Sequence, residues 1–428
     1  MSQFNNILKN LSYYLLLFLP VSLITGPFIP DLTTVIVTIF VLINFNTVFM
    51  FKLFNKKIIL ILIIFNIWII FSSIFSDHTL FSLKNSLFYF RFLTFSLGLF
   101  YFITTDPKFS LRFFYVLLCT FFALIFDGFY QFFNGTNILG FDLYPGPRVS
   151  SFFGDELILG SYLSRLLPLL FGLYIYNINK ISSKNKLFGF LVGLALIFSE
   201  CLVFLSGERA AFFYINLSAF FMIIFLKGYK LIRIFTLSIS FILIILIVYF
   251  QPSSKERILD LTLEQAGVFN KGSNLIIFSN EHETYFKTGI NIYKSNYIIG
   301  TGPKTFRKNC SNKKFIINEY SCSTHPHNTY IQLLSETGSV GFILIFVLFL
   351  SIIYFSFNEI FSSSKKLDDI NKRKYNFKIC LIACFLITLW PLIPTGNLFN
   401  NWLSIIYYLP FGFFISLIYK DTIKKIPQ

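Results

Sequence analysis

Charged residues are scarce in this chain of 428 residues. Only 13% of its positions are Asp, Glu, Lys or Arg, and 55% are hydrophobic. Roughly a quarter of the residues in an ordinary soluble domain are charged, because such a domain needs a polar surface. The composition therefore excludes a water-soluble globular protein and indicates a membrane protein.

Histidine and cysteine are also rare, which limits the metal chemistry. The chain has 4 His and 6 Cys, and no set of them has the spacing of a zinc site. Because three adjacent side chains rarely converge on one ion, we interpret Glu281-His282-Glu283 as a solvated helix turn. The sequence predicts neither a metal site nor a cofactor.

Long apolar runs make up much of the sequence. Several reach about 20 residues, the length of helix that crosses the hydrocarbon core of a bilayer. Hydropathy predicts an all-α polytopic membrane protein with about twelve transmembrane helices, at 8–27, 31–51, 58–75, 84–104, 111–133, 157–178, 187–205, 210–226, 234–250, 328–356, 378–394 and 402–419.

The net charge of +16 suggests a nucleic-acid partner until the positions of the charges are examined. Most basic residues in loops lie at alternate ends of the apolar runs, as in the groups around Lys227 and Lys372. This positive-inside pattern is typical of a multi-pass membrane protein. We therefore predict that both termini are cytoplasmic and that nucleic acid is not a partner.

Three connections then lie on the outer side of the membrane: the loop 134–156, the turn 206–209 and the long segment 251–327. A connection as long as the third is unusual and commonly functional. We divide the chain into spans one to nine over 1–250, a periplasmic loop subdomain over 251–327, and spans ten to twelve over 328–428. A disulfide between Cys310 and Cys322 would tether this subdomain, and the sequence leaves that pairing open.

Two of the four histidines, His325 and His327, lie where the long polar segment meets a span. We expect a helix from about Pro326, because proline suits the first turn of a helix. Ser323 or Thr324 would cap that turn. Two imidazoles at the mouth of a membrane helix indicate a functional site.

Polar side chains recur on one face of this predicted helix. They are Asn328, Gln332, Ser335, Glu336 and Ser339. A carboxylate in a membrane helix is costly, so we expect Glu336 to face a protein cavity and to mark a site. The alternative is that the stripe only packs helices together through hydrogen bonds.

Three arginines have the chemistry to complement these histidines. Arg148 precedes span six, and Arg209 begins span eight, where a cation opposes the helix dipole unless an anion such as Glu208 or a bound phosphate compensates. Arg91 lies inside span four, where a polar cavity or an ion pair would accommodate it. Guanidinium groups suit a diphosphate, although Arg148 and Arg209 could instead anchor lipid head groups.

Four stretches together resemble the O-antigen ligase and O-antigen polymerase family. They are His325 to Gln332 with Glu336-Thr337-Gly338 and Gly341, Arg148 to Gly160, Ser206 to Ala211, and Ile298 to Phe306. Glu208 departs from the family pattern, in which a small residue is common. The resemblance covers roughly residues 140–345, and its strength lies in the order and spacing of all four stretches.

The resemblance implies a GT-C-like, all-helical membrane glycosyltransferase with a periplasmic active site. Such enzymes take a glycan from an undecaprenyl-diphosphate-linked donor in the membrane lipid and need no metal or nucleotide sugar. Ligases transfer it to the lipid A–core, and polymerases transfer it to another glycan. We favour a ligase, because the histidine motif is intact and the chain has the common length.

The resemblance also implies roles for individual residues. Arg148 and Arg209 would hold the diphosphate, and His327, or His325 as second choice, would accept the proton of the acceptor hydroxyl in an inverting displacement. The expected substrate-binding residues are Asn328, Gln332, Glu336, Arg91 and Tyr330.

Two other classes of protein stay open. Twelve spans with both ends inside are common among transporters of polysaccharide or lipid, although this chain shows no internal repeat. A membrane acyltransferase that uses a histidine is the second alternative.

Overall fold

A computed structural model describes residues 3–44, 56–181, 185–265, 279–362 and 367–423. Within these ranges the protein is helical, and its only β-type pairing is two isolated bridges in the loop 135–148. The all-α prediction is therefore confirmed for this part of the chain. The end of the predicted span two, residues 45–51, and part of the predicted loop subdomain, residues 266–278, lie outside it.

The longer helices follow in this order: Gln3–Leu17 (α1), Phe28–Ile43 (α2), Lys57–Ile74 (α3), Thr79–Ser86 (α4), Arg91–Thr105 (α5), Phe109–Asn134 (α6), Leu159–Asn177 (α7), Asn185–Leu205 (α8), Arg209–Phe225 (α9), Lys230–Phe250 (α10), Asn280–Ser295 (α11), Thr329–Ser362 (α12), Asp369–Thr388 (α13) and Asn401–Ile423 (α14). Short helical turns lie at Leu19–Ser22, Ser151–Phe153, Pro252–Lys255, Glu256–Asp260, Leu261–Gln265, Phe306–Asn309 and Glu319–Ser321.

Seven helical segments of the described chain are long and apolar enough to cross a membrane. They are Lys57–Ile74, Thr79–Thr105, Phe109–Asn134, Lys186–Leu205, Lys230–Phe250, Thr329–Phe355 and Asn401–Tyr419. Phe28–Ile43 and Arg209–Phe225 are apolar but shorter. Each of the twelve predicted spans overlaps a helix, but length and composition support seven of them as membrane-crossing, so the count of twelve stays a prediction.

Helix α7 is the buried centre of the bundle. It packs against α6, α8, α9, α13 and α14, and its leucines, including Leu163, Leu167 and Leu170, are fully buried. A helix that is apolar on all sides belongs in the interior of a bundle. Helix α7 therefore fixes the positions of the neighbouring helix ends.

A buried ion pair joins α8 to α10. The Arg233 guanidinium contacts the Glu200 carboxylate, and the Ser240 hydroxyl donates to the same carboxylate. Arg233 is fully buried and Glu200 nearly so. Charges inside a membrane bundle are tolerated when they neutralise one another. Arg233 and Glu200 therefore need no bound ligand to compensate their charges.

The long segment before α12 forms a small unit with its own core. Ile292, Phe306, Cys310 and Phe315 cluster apart from the main core, and α11 packs against α12. Cys310 and Cys322 are joined in a disulfide, which answers the question that the sequence left open. The segment that leads to the histidines is therefore tied to this core.

Candidate functional site

The two histidines lie side by side in the loop before α12, with ring centroids 4.1 Å apart. His325 is buried, and both of its ring nitrogens are hydrogen-bonded: Nδ1 to the Thr324 hydroxyl at 2.9 Å and Nε2 to the Thr395 carbonyl at 3.0 Å. Because a carbonyl can only accept, we assign the proton to Nε2. His325 therefore has no ring nitrogen left for a substrate.

His327 is only half-buried. Among the described residues, its Nε2 is hydrogen-bonded to the Ser323 hydroxyl at 2.9 Å, and its Nδ1 is not hydrogen-bonded. Its backbone is left-handed, with φ of 53°, a strained conformation that persists only where the surroundings enforce it and that clusters at functional sites. These features favour His327 over His325 as the group that meets substrate.

Both imidazoles are neutral at pH 7. Burial lowers the pKa of His325 to about 4. Burial, with smaller contributions from His325 and His282, lowers the pKa of His327 to about 3. A neutral imidazole can accept a proton, but so low a pKa makes it a weak base. A bound anion would favour the imidazolium and raise the pKa.

Thr395, in the loop between α13 and α14, holds both histidines in place. Its carbonyl accepts from His325, and its N–H donates to the His327 carbonyl at 2.8 Å. Its hydroxyl is hydrogen-bonded to the Thr329 hydroxyl at 2.8 Å. One residue therefore fixes the His325 ring, the strained His327 backbone and the start of α12.

Asn328 caps α12, so the predicted cap at Ser323 or Thr324 is wrong. Its Oδ1 accepts from the N–H groups of Tyr330 at 3.0 Å and of residue 331 at 3.1 Å. The helix begins at Thr329 rather than near Pro326, because the left-handed His327 cannot continue a helix. Asn328 Nδ2 also donates to the carbonyl of residue 391 at 2.8 Å.

Gln332 joins α12 to the loop that carries Thr395. Its Nε2 donates to Asn397 Oδ1 at 2.8 Å and to Glu336 Oε2 at 2.9 Å, and its Oε1 accepts from the Leu398 N–H at 2.9 Å. The alternative in which the polar stripe packs protein segments together fits Asn328 and Gln332. Their substrate-binding roles stay predictions.

Helix α12 is broken at Gly338, where φ is 66° and ψ is −171°. The glycine-containing turn 298–302 lies against the break. The Thr301 N–H donates to the carbonyl of residue 335 at 3.1 Å, and the Gly302 N–H donates to the carbonyl of residue 336 at 2.8 Å. Backbone groups that the break leaves without helical partners are thereby satisfied, as a membrane interior requires.

Helix α3 supplies further donors to the same place. Trp68 Nε1 donates to the Thr337 carbonyl at 2.8 Å, and the Ser72 hydroxyl donates to the Ile299 carbonyl at 2.8 Å. These two side chains are four residues apart and share one helix face. The histidine motif and the glycine turn, which are separate in sequence, therefore form one structure supported by α3.

Glu336 lies at the centre of this structure and is fully buried. Its Oε1 accepts from the Phe306 N–H at 3.0 Å, at the start of the short helix Phe306–Asn309, and its Oε2 accepts from Gln332. Glu336 thus links the small outer core, through Phe306, to α12. The substrate-binding role expected for Glu336 stays a prediction.

Arg148 lies against the turn between α8 and α9. Its Nε donates to the Ser206 carbonyl at 3.1 Å, and its side chain packs on Gly207, where a β-carbon would overlap it. Arg209 begins α9 at the other end of the same turn. The structure therefore places both predicted diphosphate ligands around one turn.

The Glu208 carboxylate caps α7. It accepts from the N–H groups of Gly160 at 2.6 Å and Ser161 at 3.1 Å, at the start of that helix. Burial raises the pKa of Glu208 to about 7, while these N–H groups, Arg148 and Arg165 oppose the shift. At neutral pH this carboxylate carries only part of a negative charge.

Helix α6 anchors the loop that presents Arg148. Gln131 Oε1 accepts from the N–H groups of Ser150 at 3.0 Å and Ser151 at 2.7 Å. Asp127 accepts from the Ser151 hydroxyl at 2.6 Å and from the N–H of residue 138 at 3.0 Å. Both side chains are fully buried, so the loop has a fixed path.

Arg91 and Tyr330 are engaged by the protein. Arg91 begins α5, after a break in the predicted span four. Its guanidinium pairs with Asp31 at 2.8 Å, so of the two environments expected for Arg91 the structure shows the ion pair. The Tyr330 hydroxyl donates to the Leu389 carbonyl at 2.6 Å, and its ring packs among phenylalanines of α12. Substrate contacts by these two residues stay predictions.

Sequence reasoning missed His282 and Tyr285 of α11. Tyr285 stacks on the His327 ring at 5.1 Å, and the His282 ring lies edge-on to it at 5.1 Å. Residues 281–283 form the first turn of α11, as predicted, and Glu281 is exposed, whereas His282 is half-buried. Their spacing of three residues places them on one helix face. This spacing was the sequence feature from which a shared role could have been predicted.

Sequence reasoning also missed Arg165, an arginine inside the apolar run of α7. Its guanidinium is buried between the rings of Tyr214 and Tyr407, at 4.8 and 5.1 Å. The Tyr214 hydroxyl donates to the Pro394 carbonyl at 3.4 Å, next to Thr395. Arg165 therefore lies between the Arg148 turn and the histidine loop. A charge inside a predicted span marks a candidate site by default.

The fold and the site define a polytopic α-helical membrane protein with a polar centre built from loops at one end of its bundle. Residues 191–346 match the family model described as O-Antigen ligase. This match confirms the resemblance found in the sequence over a segment that contains Arg209, His327 and Glu336. The Arg148 loop precedes the matched segment. No curated protein matches the chain.

Proposed function

We propose that this protein is an O-antigen ligase. It transfers O-antigen or a related polysaccharide from undecaprenyl diphosphate to the lipid A–core, at the periplasmic face of the bacterial inner membrane. The transfer is metal-independent and inverts the anomeric carbon. The observation that carries the proposal is the neutral His327, with an available Nδ1, held beside His325 in a segment that matches the O-antigen ligase family.

In the proposed reaction, the acceptor hydroxyl gives its proton to His327 Nδ1 while its oxygen forms a bond to the anomeric carbon. The bond from that carbon to the diphosphate breaks, and its electron pair stays on the phosphate oxygen. Arg148 and Arg209 stabilise the charge that develops there. A single displacement of this kind inverts the configuration.

The low pKa of His327 fits this order of events. Without a donor the ring is neutral, and desolvation makes it a weak base. A bound diphosphate would bring negative charge near the ring and raise its pKa toward the working pH. The base would then be strongest when donor and acceptor are both present, which limits wasteful reaction.

A transfer assay with the purified full-length protein tests the proposal. Lipid-linked polysaccharide and lipid A–core are mixed with the protein in detergent, without an ion gradient and with EDTA, and the product is resolved on a gel. Transfer under these conditions supports the ligase. Movement of glycan across vesicles only when a gradient is imposed would instead indicate a transporter.

The O-antigen or exopolysaccharide polymerase is the second candidate, because the family match does not separate the two reactions. Deletion of the gene distinguishes them. Loss of a ligase leaves polymer on the lipid carrier, whereas loss of a polymerase leaves single repeat units on the core.

A further inference from the structure

Arg165 is a buried cation that no carboxylate of the described residues contacts through a hydrogen bond. It is 3% exposed, and its Nε and Nη1 have no hydrogen-bond partner within the described ranges. Arg233, the other deeply buried arginine discussed above, has Glu200 as a direct partner. Unpaired charges and unpaired donors are costly to bury, so Arg165 needs an explanation other than packing.

The surroundings of Arg165 do not neutralise its charge. The rings of Tyr214 and Tyr407 cover it, and such cation–π contacts are weaker than the desolvation of a charge. Glu208 is within electrostatic range, but both of its oxygens cap α7 and its pKa is raised to about 7. Arg148 also lies near Glu208, so this one carboxylate is shared between two guanidinium groups.

An apolar cavity adjoins the Arg165 site. It has a volume of about 80 Å³ and lies between α3, α12, α13 and α14, and its wall includes Tyr407, Leu389 and Leu398. The last two residues also bond to the site, through Tyr330 and Gln332. One end of the cavity therefore lies next to the loop that holds the histidines.

Tyr407 lies between the cavity and Arg165. Its ring contacts the guanidinium, and its hydroxyl is buried without a hydrogen-bond partner among the described residues. Empty space beside the ring gives it room to turn. A buried cation, an unsatisfied phenol and an apolar cavity thus meet at one residue, an arrangement that suits a phosphate attached to a long hydrocarbon chain.

We propose that Arg165, with the Tyr407 hydroxyl, binds the lipid-side phosphate of the donor, and that the end of the donor's hydrocarbon chain next to this phosphate enters the adjoining cavity. This inference rests on the proposed function for the identity of the donor. Arg148 and Arg209 hold the diphosphate from the turn above, and Arg165 fixes its depth. Arg165 is then a third phosphate ligand that positions the anomeric carbon relative to His327.

Binding rather than activity tests the inference. Full-length protein in detergent is titrated with undecaprenyl phosphate and, as a matched probe, with undecaprenol, which has the same chain without the phosphate. We expect wild-type protein to prefer the phosphate by about 10-fold or more, as a charge-assisted hydrogen bond allows. Arg165→Gln should lower this preference sharply, because only Arg148 and Arg209 then contact the phosphate, and Tyr407→Phe should lower it less. An unchanged preference in both variants would overturn the inference.

The control is Arg112→Gln, which removes a half-exposed guanidinium paired with Asp106 at the opposite end of α6 from the Arg148 loop. It should keep the phosphate preference. If Arg165→Gln fails to fold, Tyr407→Phe and Arg165→Lys decide the question. Competition by phosphatidylglycerol as strong as by undecaprenyl phosphate would show a general phospholipid site and overturn the donor assignment.

The two proposals fail separately. Wild-type protein that binds undecaprenyl phosphate through Arg165 but never transfers glycan contradicts the ligase function and leaves the phosphate site standing. Glycan transfer by the wild-type protein, together with an unchanged phosphate preference in Arg165→Gln, contradicts the phosphate site and leaves the ligase function standing.

Discussion

The Ile298 carbonyl lies directly against Gly338, so closely that a β-carbon on this glycine would overlap it. The contact joins the glycine turn to the break in α12. Gly338 also has φ of 66°, which L-residues with side chains rarely adopt. The close contact and the positive φ both require glycine at position 338.

We therefore expect Gly338→Ala to destabilise the protein, by about 1–3 kcal/mol from backbone strain alone, with further loss from the overlap. The thermal midpoint in detergent and glycan transfer should both fall. Gly193→Ala is the control, because a β-carbon there meets no atom within 4 Å. Equal midpoints for the two variants would contradict the close packing at Gly338.

Replacement of His327 tests the base. His327→Ala should lower glycan transfer by about 100-fold or more at unchanged protein level, in line with the loss of general base catalysis. His325→Ala should act mainly through the position of the loop and should also lower stability. His78→Ala, at the one histidine outside the cluster, should retain activity. Wild-type transfer by His327→Ala would remove the proposed role.

Arg209→Lys tests whether the shape of the cation matters. Lysine keeps the charge but loses the planar fork with which arginine contacts two phosphate oxygens. We expect about 10-fold slower transfer with a larger effect at low donor concentration. Lys227→Arg is a charge-conserving control on the predicted cytoplasmic side. Full activity of Arg209→Lys would indicate simple anchoring to lipid head groups.

Stability should depend on pH through His325. Its pKa is about 4 in the folded protein and 6.5 ordinarily, so between these values the unfolded chain binds more protons than the folded one. The contribution of neutral His325 to the free energy of unfolding is complete above about pH 6.5 and is lost as the pH falls toward 4. The thermal midpoint should therefore drop over this window, and His325→Gln should flatten the curve relative to His78→Gln.

Gln131 should affect donor binding without touching the donor. Gln131→Leu leaves the buried N–H groups of Ser150 and Ser151 unpaired, at about 1–3 kcal/mol each, and frees the loop that carries Arg148. We expect the KM for the donor to rise more than kcat falls. Asn134→Ala, at an exposed position of the same helix, is the control. A fall in kcat alone would argue against loop positioning.

Local signals predicted much of the site. The motif around His327, the turn 206–209 and the glycine turn 298–302 were recognisable because backbone requirements and polar residues at helix ends leave short patterns. The Cys310–Cys322 pairing was identifiable as a candidate because both residues lie in one polar segment. These features depend on a few neighbouring positions.

Features that depend on tertiary contacts were not predicted. The left-handed His327 moved the helix start to Thr329, which periodicity does not reveal. The packing of Tyr285 on His327 depends on how α11 docks, and the burial of the Arg165 guanidinium between two tyrosine rings depends on how α9 and α14 pack on α7. The number of spans also stays open, because hydropathy does not distinguish a crossing helix from a buried one of similar length.

The covalent ring between Cys310 and Cys322 links biogenesis to topology. Because the cytosol keeps thiols reduced, we expect it to close only when this segment reaches an oxidising compartment, as the predicted topology requires. The ring lies just before the histidines, so a molecule inserted upside down would lack the tether that orders them. Export machinery and oxidative folding would then act together as a safeguard against glycan transfer in the wrong compartment.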